Sequence, residues 1–232
     1  MIEFLTSSLD SDGEPEVAPI VRRSLHEEIV TRLRDLIIEG RLPPGVRINE
    51  VAVGKLLQVS RTPLREAIKR LASEGLIELV PTRGAVVRTF TAKDVEDILA
   101  VLSALEQLAA RQICAHASDA EIGQICALHD AMMERYAARD RLAYFKLNQE
   151  IHSTIVELTG NQTLAKTHGS LQACIRRIRF VGNERPDKWA SAVAEHEEMV
   201  AALRARDGER LAGILDRHMR NTQTRVATHV TP

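Results

Sequence analysis

The stretch from Val59 to Val87, VSRTPLREAIKRLASEGLIELVPTRGAVV, limits what this chain can fold into more than any other. On a helical wheel Leu64, Ala67, Ile68 and Leu71 fall on one side and Arg61, Arg65 and Lys69 on the other, so one face packs and the other is cationic. Ser60 or Thr62 can cap this helix, and Pro63 is tolerated because first-turn donors lack helical partners anyway. Two β-prone segments follow, Leu76–Val80 and Ala85–Thr89, joined by a Pro/Gly turn that predicts a hairpin. Upstream, Leu25, Ile29, Leu33, Leu36 and Ile37 recur at helical spacing until Gly40. RLPPG then makes a rigid turn, and Asn49 is placed to cap a short helix ending at Leu57.

Three helices and a hairpin in that order predict a winged helix-turn-helix whose basic helix enters the major groove by its N-terminal end. In that geometry Arg61 and Arg65 donate bidentately to guanine or phosphate, Thr62 reaches either, and Lys69 extends the cationic face. Arg83 and Gly84, at the hairpin tip, would meet the sugar-phosphate backbone. A solvated basic helix face gives the same charge pattern; the hairpin directly after it favours nucleic acid.

Charge distribution agrees. The formal net charge of -1 conceals five acids and no base in residues 1–20, 13 Lys/Arg against 8 Asp/Glu in residues 21–90, and 18 against 19 in residues 91–232. A flexible acidic tail (1–20), a basic module (21–90) and a neutral module (91–232) are expected, with a nucleic-acid partner for the second alone. No apolar run approaches the ~18 residues of a membrane span, and no basic-then-apolar leader opens the chain, so a soluble, cytoplasmic protein is expected. Cys114, Cys126 and Cys174 lie without paired spacing in apolar helical patterns and read as buried free thiols.

Beyond TAKDV the pattern is helical to the end, segmented at turn signals into about Lys93–His116, Asp119–Arg139, Leu142–Thr159, Gln162–Val181, Pro186–Arg206 and Gly208–Ala227. The fold class expected is mostly α: a winged helix-turn-helix followed by an antiparallel all-helical bundle. Within KLNQEIH, Asn148 and His152 are four apart and share a helical face. His196 falls on the inward side set by Val193, Met199, Val200 and Leu203, and His218 on that set by Leu211, Ile214 and Leu215. Three imidazoles and an amide converging from three helices suit a divalent transition metal, zinc first, with nickel or iron as alternatives. Hydrogen-bonded core histidines would show the same spacing.

Residues 21–90 resemble the GntR family of bacterial transcription regulators, most specifically in the stretch quoted first. The resemblance implies that Arg61, Thr62 and Arg65 read DNA, with Arg83-Gly84 as the wing contact. Gln58 stands where the family usually has Gly. Residues 93–220 are similar to the FCD ligand-binding domain of FadR-type members, most specifically in FKLNQEIHSTIVELTGNQTL. That similarity implies Asn148, His152, His196 and His218 as four ligands of a metal that anchors a small effector. Many members have Asp at the position of Asn148; an amide brings no charge, which weakens the site and leaves the ion more able to attract a carboxylate. Leu102 stands four residues before Glu106, where the family often has an effector-pairing Arg. Arg179, flanking the stripe Leu171, Ile175 and Ile178, is a candidate substitute, against a reading in which it faces outward with Arg176 and Arg177.

The function expected is a homodimeric regulator, more often a repressor, bound to pseudo-palindromic double-stranded operator DNA and controlled by a small organic acid. Its rivals are a constitutive DNA-binding protein with a structural metal or none, and a metal-dependent hydrolase or lyase. Against the enzyme, no HExxH run appears, and Glu195, Glu197 and Glu198 are expected to point away if His196 points in.

Overall fold

A computed structural model describes residues 25–182 and 186–227; the acidic tail expected over 1–20 lies outside them. The N-terminal domain comprises α1 (Leu25–Ile38), α2 (Glu50–Leu57), α3 (Arg61–Ser73), β1 (Ile77–Val80) and β2 (Gly84–Val87). Its core joins Ile29, Leu33 and Ile37 of α1 to Leu64, Ala67, Ile68 and Leu71 of α3 and to Val87 of the hairpin. Leu25, the first residue of α1, is 64% exposed and stands outside this core.

Asn49 caps α2, its side chain accepting from the backbone N–H groups of Val51 and Ala52 at 3.1 Å. Gln58 ends α2 in the left-handed region (φ 56°), which is why glycine suits this turn. Ser60 holds the cap position of α3 by backbone conformation alone, without a side-chain bond, and Thr62 lies inside the helix. β1 and β2 pair antiparallel from Ile77 opposite Val87 to Val80 opposite Gly84. Arg47 adds a bridge to Val86, so the segment after the RLPPG turn supports the wing along its second edge.

The second domain is an antiparallel helical bundle: α4 (Ala92–His116), α5 (Asp119–Ala137), α6 (Arg141–Glu157), α7 (Gln162–Cys174), α8 (Arg176–Gly182), α9 (Pro186–Arg204) and α10 (Gly208–Val226). Side chains cap most starts: Thr91 and Ser118 form reciprocal boxes with Asp94 and Glu121, and Asp140, Asn161 and Asp207 accept from first-turn N–H groups. The single helix expected over Gln162–Val181 is two, broken at Ile175, whose backbone leaves helical geometry (φ -99°, ψ 11°). By length and composition α4 would pass for a membrane span, against the expectation that no run reaches that size. In the fold it packs as a bundle helix, burying Leu99, Leu102, Ala109 and Ile113 around the carboxylate of Glu106, a group costly to place in lipid. Cys114 is buried as expected, while Cys126 and Cys174 are partly exposed; all three are free thiols.

Short helix α8 docks the bundle on the N-terminal domain. Arg177 Nη1 donates to the carbonyls of Ile37 and Ile38 at 2.8 and 2.9 Å, satisfying the end of α1. Ile38 packs with Phe145 and Phe180, whose rings meet edge to face at 5.3 Å. Lys146 pairs with Asp35 at 2.7 Å, and Cys174 Sγ lies 3.6 Å from the carbonyl of Glu74.

Candidate nucleic-acid interface and metal centre

Burial of Leu64, Ala67, Ile68 and Leu71 turns the opposite face of α3 to solvent, and Arg61, Thr62, Arg65 and Lys69 are all exposed. Arg83 and Gly84 are exposed at the wing, Gly84 at φ +77°. Arg47, Asn49, Glu50, Arg61, Arg65 and Gly84 line one groove between α2, α3 and the wing. Arg65 is held there by Glu50 at 2.8 Å. Arg47 escaped sequence reasoning because it lies outside any regular element; only the hairpin's partner strand reveals it.

The second site lies inside the bundle. His152 of α6, His196 of α9 and His218 of α10 form a near-equilateral triangle, with ring centroids 5.1 to 5.2 Å apart. All three are at most 2% exposed, and one ligand atom from each lies within 4.8 Å of the others. The Nε2 atoms of all three are buried with no hydrogen-bond partner. Two rings are fixed from behind: His152 Nδ1 lies 2.7 Å from Glu106 Oε2, and His218 Nδ1 lies 2.6 Å from Glu195 Oε2. A carboxylate accepting from Nδ1–H sets the tautomer that leaves Nε2 as a lone-pair donor. Such orphaned atoms are costly unless something accepts their lone pairs, so the donor set fits a divalent metal. Asn148 is buried one turn before His152 on α6 and lines a small cavity with His218, Arg179, Thr222 and Arg225.

Electrostatics keep the imidazoles neutral. Burial lowers the pKa of His152, and that of His196 further because His218 and His152 lie beside it. Burial takes His218 down to about 4 against the opposing pull of Glu195. Glu106 and Glu195 remain ionised: burial pushes both up, but the hydrogen bonds Glu106 accepts from His152 and His168, and those Glu195 accepts from His218 and the charged Arg225, outweigh it, taking Glu195 down to about 2. Neutral imidazole beside an ionised carboxylate is the state a metal ligand needs.

One sequence expectation is overturned here, that for Glu195, and of the two readings of Arg179 the outward one is excluded. Arg179 faces inward, 4% exposed, because the break at Ile175 rotates α8 relative to α7; its Nη1 has no hydrogen-bond partner. Glu195 also faces inward, 5% exposed, because α9 buries a stripe wide enough to take both it and His196. Its oxygens are saturated by His218, by Asn221 at 2.7 Å and by Arg225 at 3.1 and 3.2 Å. It therefore holds no base free for catalysis. His168 was missed altogether; its Nε2 lies 2.9 Å from Glu106 Oε1. The stripe Leu164, His168, Gln172, all buried at four-residue spacing, carried that signal.

A basic winged helix followed by a helical bundle is the architecture of a DNA-binding transcriptional regulator. Comparison with known proteins makes the class specific. Residues 25–87 match the model for bacterial regulatory proteins of the gntR family, and residues 97–221, over half the chain, match the FCD domain. The Nta operon transcriptional regulator of Aminobacter aminovorans is 36% identical over 157 residues, 67% of this chain and 70% of that one. The HTH-type transcriptional repressor RspR of Escherichia coli is 25% identical over 198 residues, 84% and 86% of the two chains. A solved GntR regulator from Rhodococcus sp. RHA1 shares the fold at TM-score 0.75 and 22% identity, covering 89% of this chain and 99% of that one. The chain belongs to the GntR family of transcriptional regulators, with an FCD domain, and is not an enzyme.

Proposed function

We propose that this protein is a cytoplasmic, metal-dependent repressor that binds a pseudo-palindromic operator as a homodimer and is controlled by a small carboxylate. The observation that carries the reading is the trio of buried, unpartnered Nε2 atoms on His152, His196 and His218, braced by Glu106 and Glu195. These histidines, with Asn148 as a neutral fourth donor, hold the metal, preferably zinc, with nickel or iron as alternatives. A divalent ion in this position supplies a Lewis-acid centre that attracts a carboxylate. Arg179, buried on the same cavity with an unpartnered Nη1, supplies a second cation for that carboxylate.

Domain 21–90 is the reader: Arg61, Thr62 and Arg65 address bases or phosphates, Lys69 a phosphate, and Arg83-Gly84 the backbone at the wing, with Arg47 beside them. Domain 91–232 senses. Dimerisation follows from two half-sites needing two readers, and α4 offers Val101 and Leu108 as exposed apolar side chains two turns apart. The test is thermal melting of chelator-stripped and zinc-loaded protein against a panel of small carboxylates. A shift seen only with zinc supports the reading, whereas equal shifts in both samples reduce the histidines to structural residues.

A further inference from the structure

A second polar site, separate from the histidines, lies between the two domains. Thr31 and Asp35 of α1 form one wall of a cleft, and Lys146, Gln149 and Ser153 of α6 form the other, with Arg176 of α8 at its edge. Helix α6 thus serves two sites: Asn148 and His152 turn into the bundle, while Gln149 and Ser153, each one residue further on, line the cleft.

Gln149 is 6% exposed, and both its Oε1 and its Nε2 are buried with no hydrogen-bond partner. Its neighbours are already engaged. Ser153 Oγ donates to Gln172 Oε1 at 3.0 Å, and Gln172 Nε2 donates to the Gln149 carbonyl at 3.3 Å. Arg176 is in the same position: its Nε is buried and unpartnered, and the guanidinium makes no ion pair among the described residues. The acids nearest to it are committed elsewhere, Glu74 to Arg34 at 2.9 Å and to Arg70 at 3.1 Å, and Asp35 to Lys146 at 2.7 Å. Burial, with Arg34 adding repulsion, lowers the pKa of Arg176. An unpaired buried amide beside an unpaired guanidinium is a costly combination that a bound oxyanion relieves, since the amide and guanidinium N–H groups would both donate to it.

We infer that this cleft is an anion site, independent of the metal, which takes a small carboxylate or phosphate against Gln149 and Arg176 and bridges α1 to α6. The exposed acids Glu150 and Glu157 also line the cleft, and they select against large polyanions. The ligand would touch both domains at once, so its occupancy stabilises their docking.

The test uses the full chain, chelator-treated and zinc-loaded in parallel. Melting and calorimetric titration are run with sodium phosphate and with sodium acetate, each against sodium chloride at equal ionic strength. A saturable rise in Tm of several degrees is expected, the same with and without zinc. Response to phosphate alone identifies a phosphoryl ligand and response to acetate alone a carboxylate; either supports the site. Gln149→Leu should melt no lower than the parent without anion, because it removes an unsatisfied amide, and should bind at least tenfold more weakly. Arg176→Gln should weaken binding likewise. A rise that chloride reproduces, a response that requires zinc, or wild-type affinity in both variants would overturn the inference.

Discussion

At the scale of single residues, the histidine triangle shows how burial sets protonation. His218 has a pKa of about 4 in the folded protein against ~6.5 in an unfolded chain. Between those values the unfolded state binds the proton and the folded state does not, so stability present above pH 6.5 is lost as pH falls toward 4. His152 and His196 shift in the same direction, and Glu195, held at about 2, extends the loss into stronger acid. Chelator-treated protein should therefore show a Tm that declines steadily from pH 7 to pH 4.5, and zinc should hold the Tm up further into acid by competing with those protons. A flat profile in the chelated sample would contradict this account. Positioning by the carboxylates is separately testable. Glu195→Gln leaves the shape intact but weakens the acceptor behind His218, and zinc affinity measured against a competing chelator should fall about 10- to 100-fold. Unchanged affinity would leave Glu195 a structural partner of His218, Asn221 and Arg225 without influence on the metal. Outside the site, Gln58→Gly replaces a side chain strained at φ 56° and should stabilise the N-terminal domain by about 0.5–1 kcal/mol in denaturant titration.

At the scale of elements, the helices were legible where apolar spacing and caps agreed. The packing face of α3, the Asn49 cap and the ends of α4, marked by Thr91 and Ser118, follow from local chemistry that a sequence displays. The break at Ile175 was not legible, because ACIRRIRF contains neither Gly nor Pro; what ends α7 there is the docking of α8 on α1 through Arg177. That tertiary demand rotates Arg179 inward and hides it from any wheel drawn through one continuous helix. The triangle of histidines was legible from inward spacing, but its bracing by Glu106 and Glu195 was not, since charged residues beside apolar stripes usually face water. The contact between α7 and the start of β1 is tight enough to test. A Cβ on Gly75, at φ +75°, would lie 2.5 Å from Cys174 Sγ. Gly75→Ala should cost about 2–3 kcal/mol from backbone strain and clash together, and adding Cys174→Ala should recover the clash while leaving about 1 kcal/mol of strain. Equal stability of the single and double variants would mean that the two domains part at this seam without cost.

At the scale of the whole molecule, the two domains share one free-energy balance. Arg61, Arg65, Lys69 and the wing stand on a core joined to the bundle through α1, and α8 carries Arg177 on that joint two residues from Arg179, which lines the cavity beside His218. Any ligand that prefers one setting of α8 therefore biases the setting of the reading heads, and coupling of this kind is typically ~1–3 kcal/mol, or about 5- to 150-fold. Fluorescence anisotropy on an operator duplex would separate the contributions. Lys69→Ala, if Lys69 meets a phosphate as proposed, should weaken all sequences alike and reduce the slope of log affinity against log salt by about 1. Arg65→Ala should cost about 1–3 kcal/mol at one base position and relax preference there, with Glu50 left unpaired as a secondary loss. Thermodynamic reciprocity then gives the most demanding expectation. If a carboxylate lowers operator affinity by some factor, saturating operator must lower carboxylate affinity by the same factor, and chelation of the metal must bring both factors toward one. A carboxylate that releases operator equally well from chelator-stripped protein would mean that the histidines do not lie on the route from ligand to DNA.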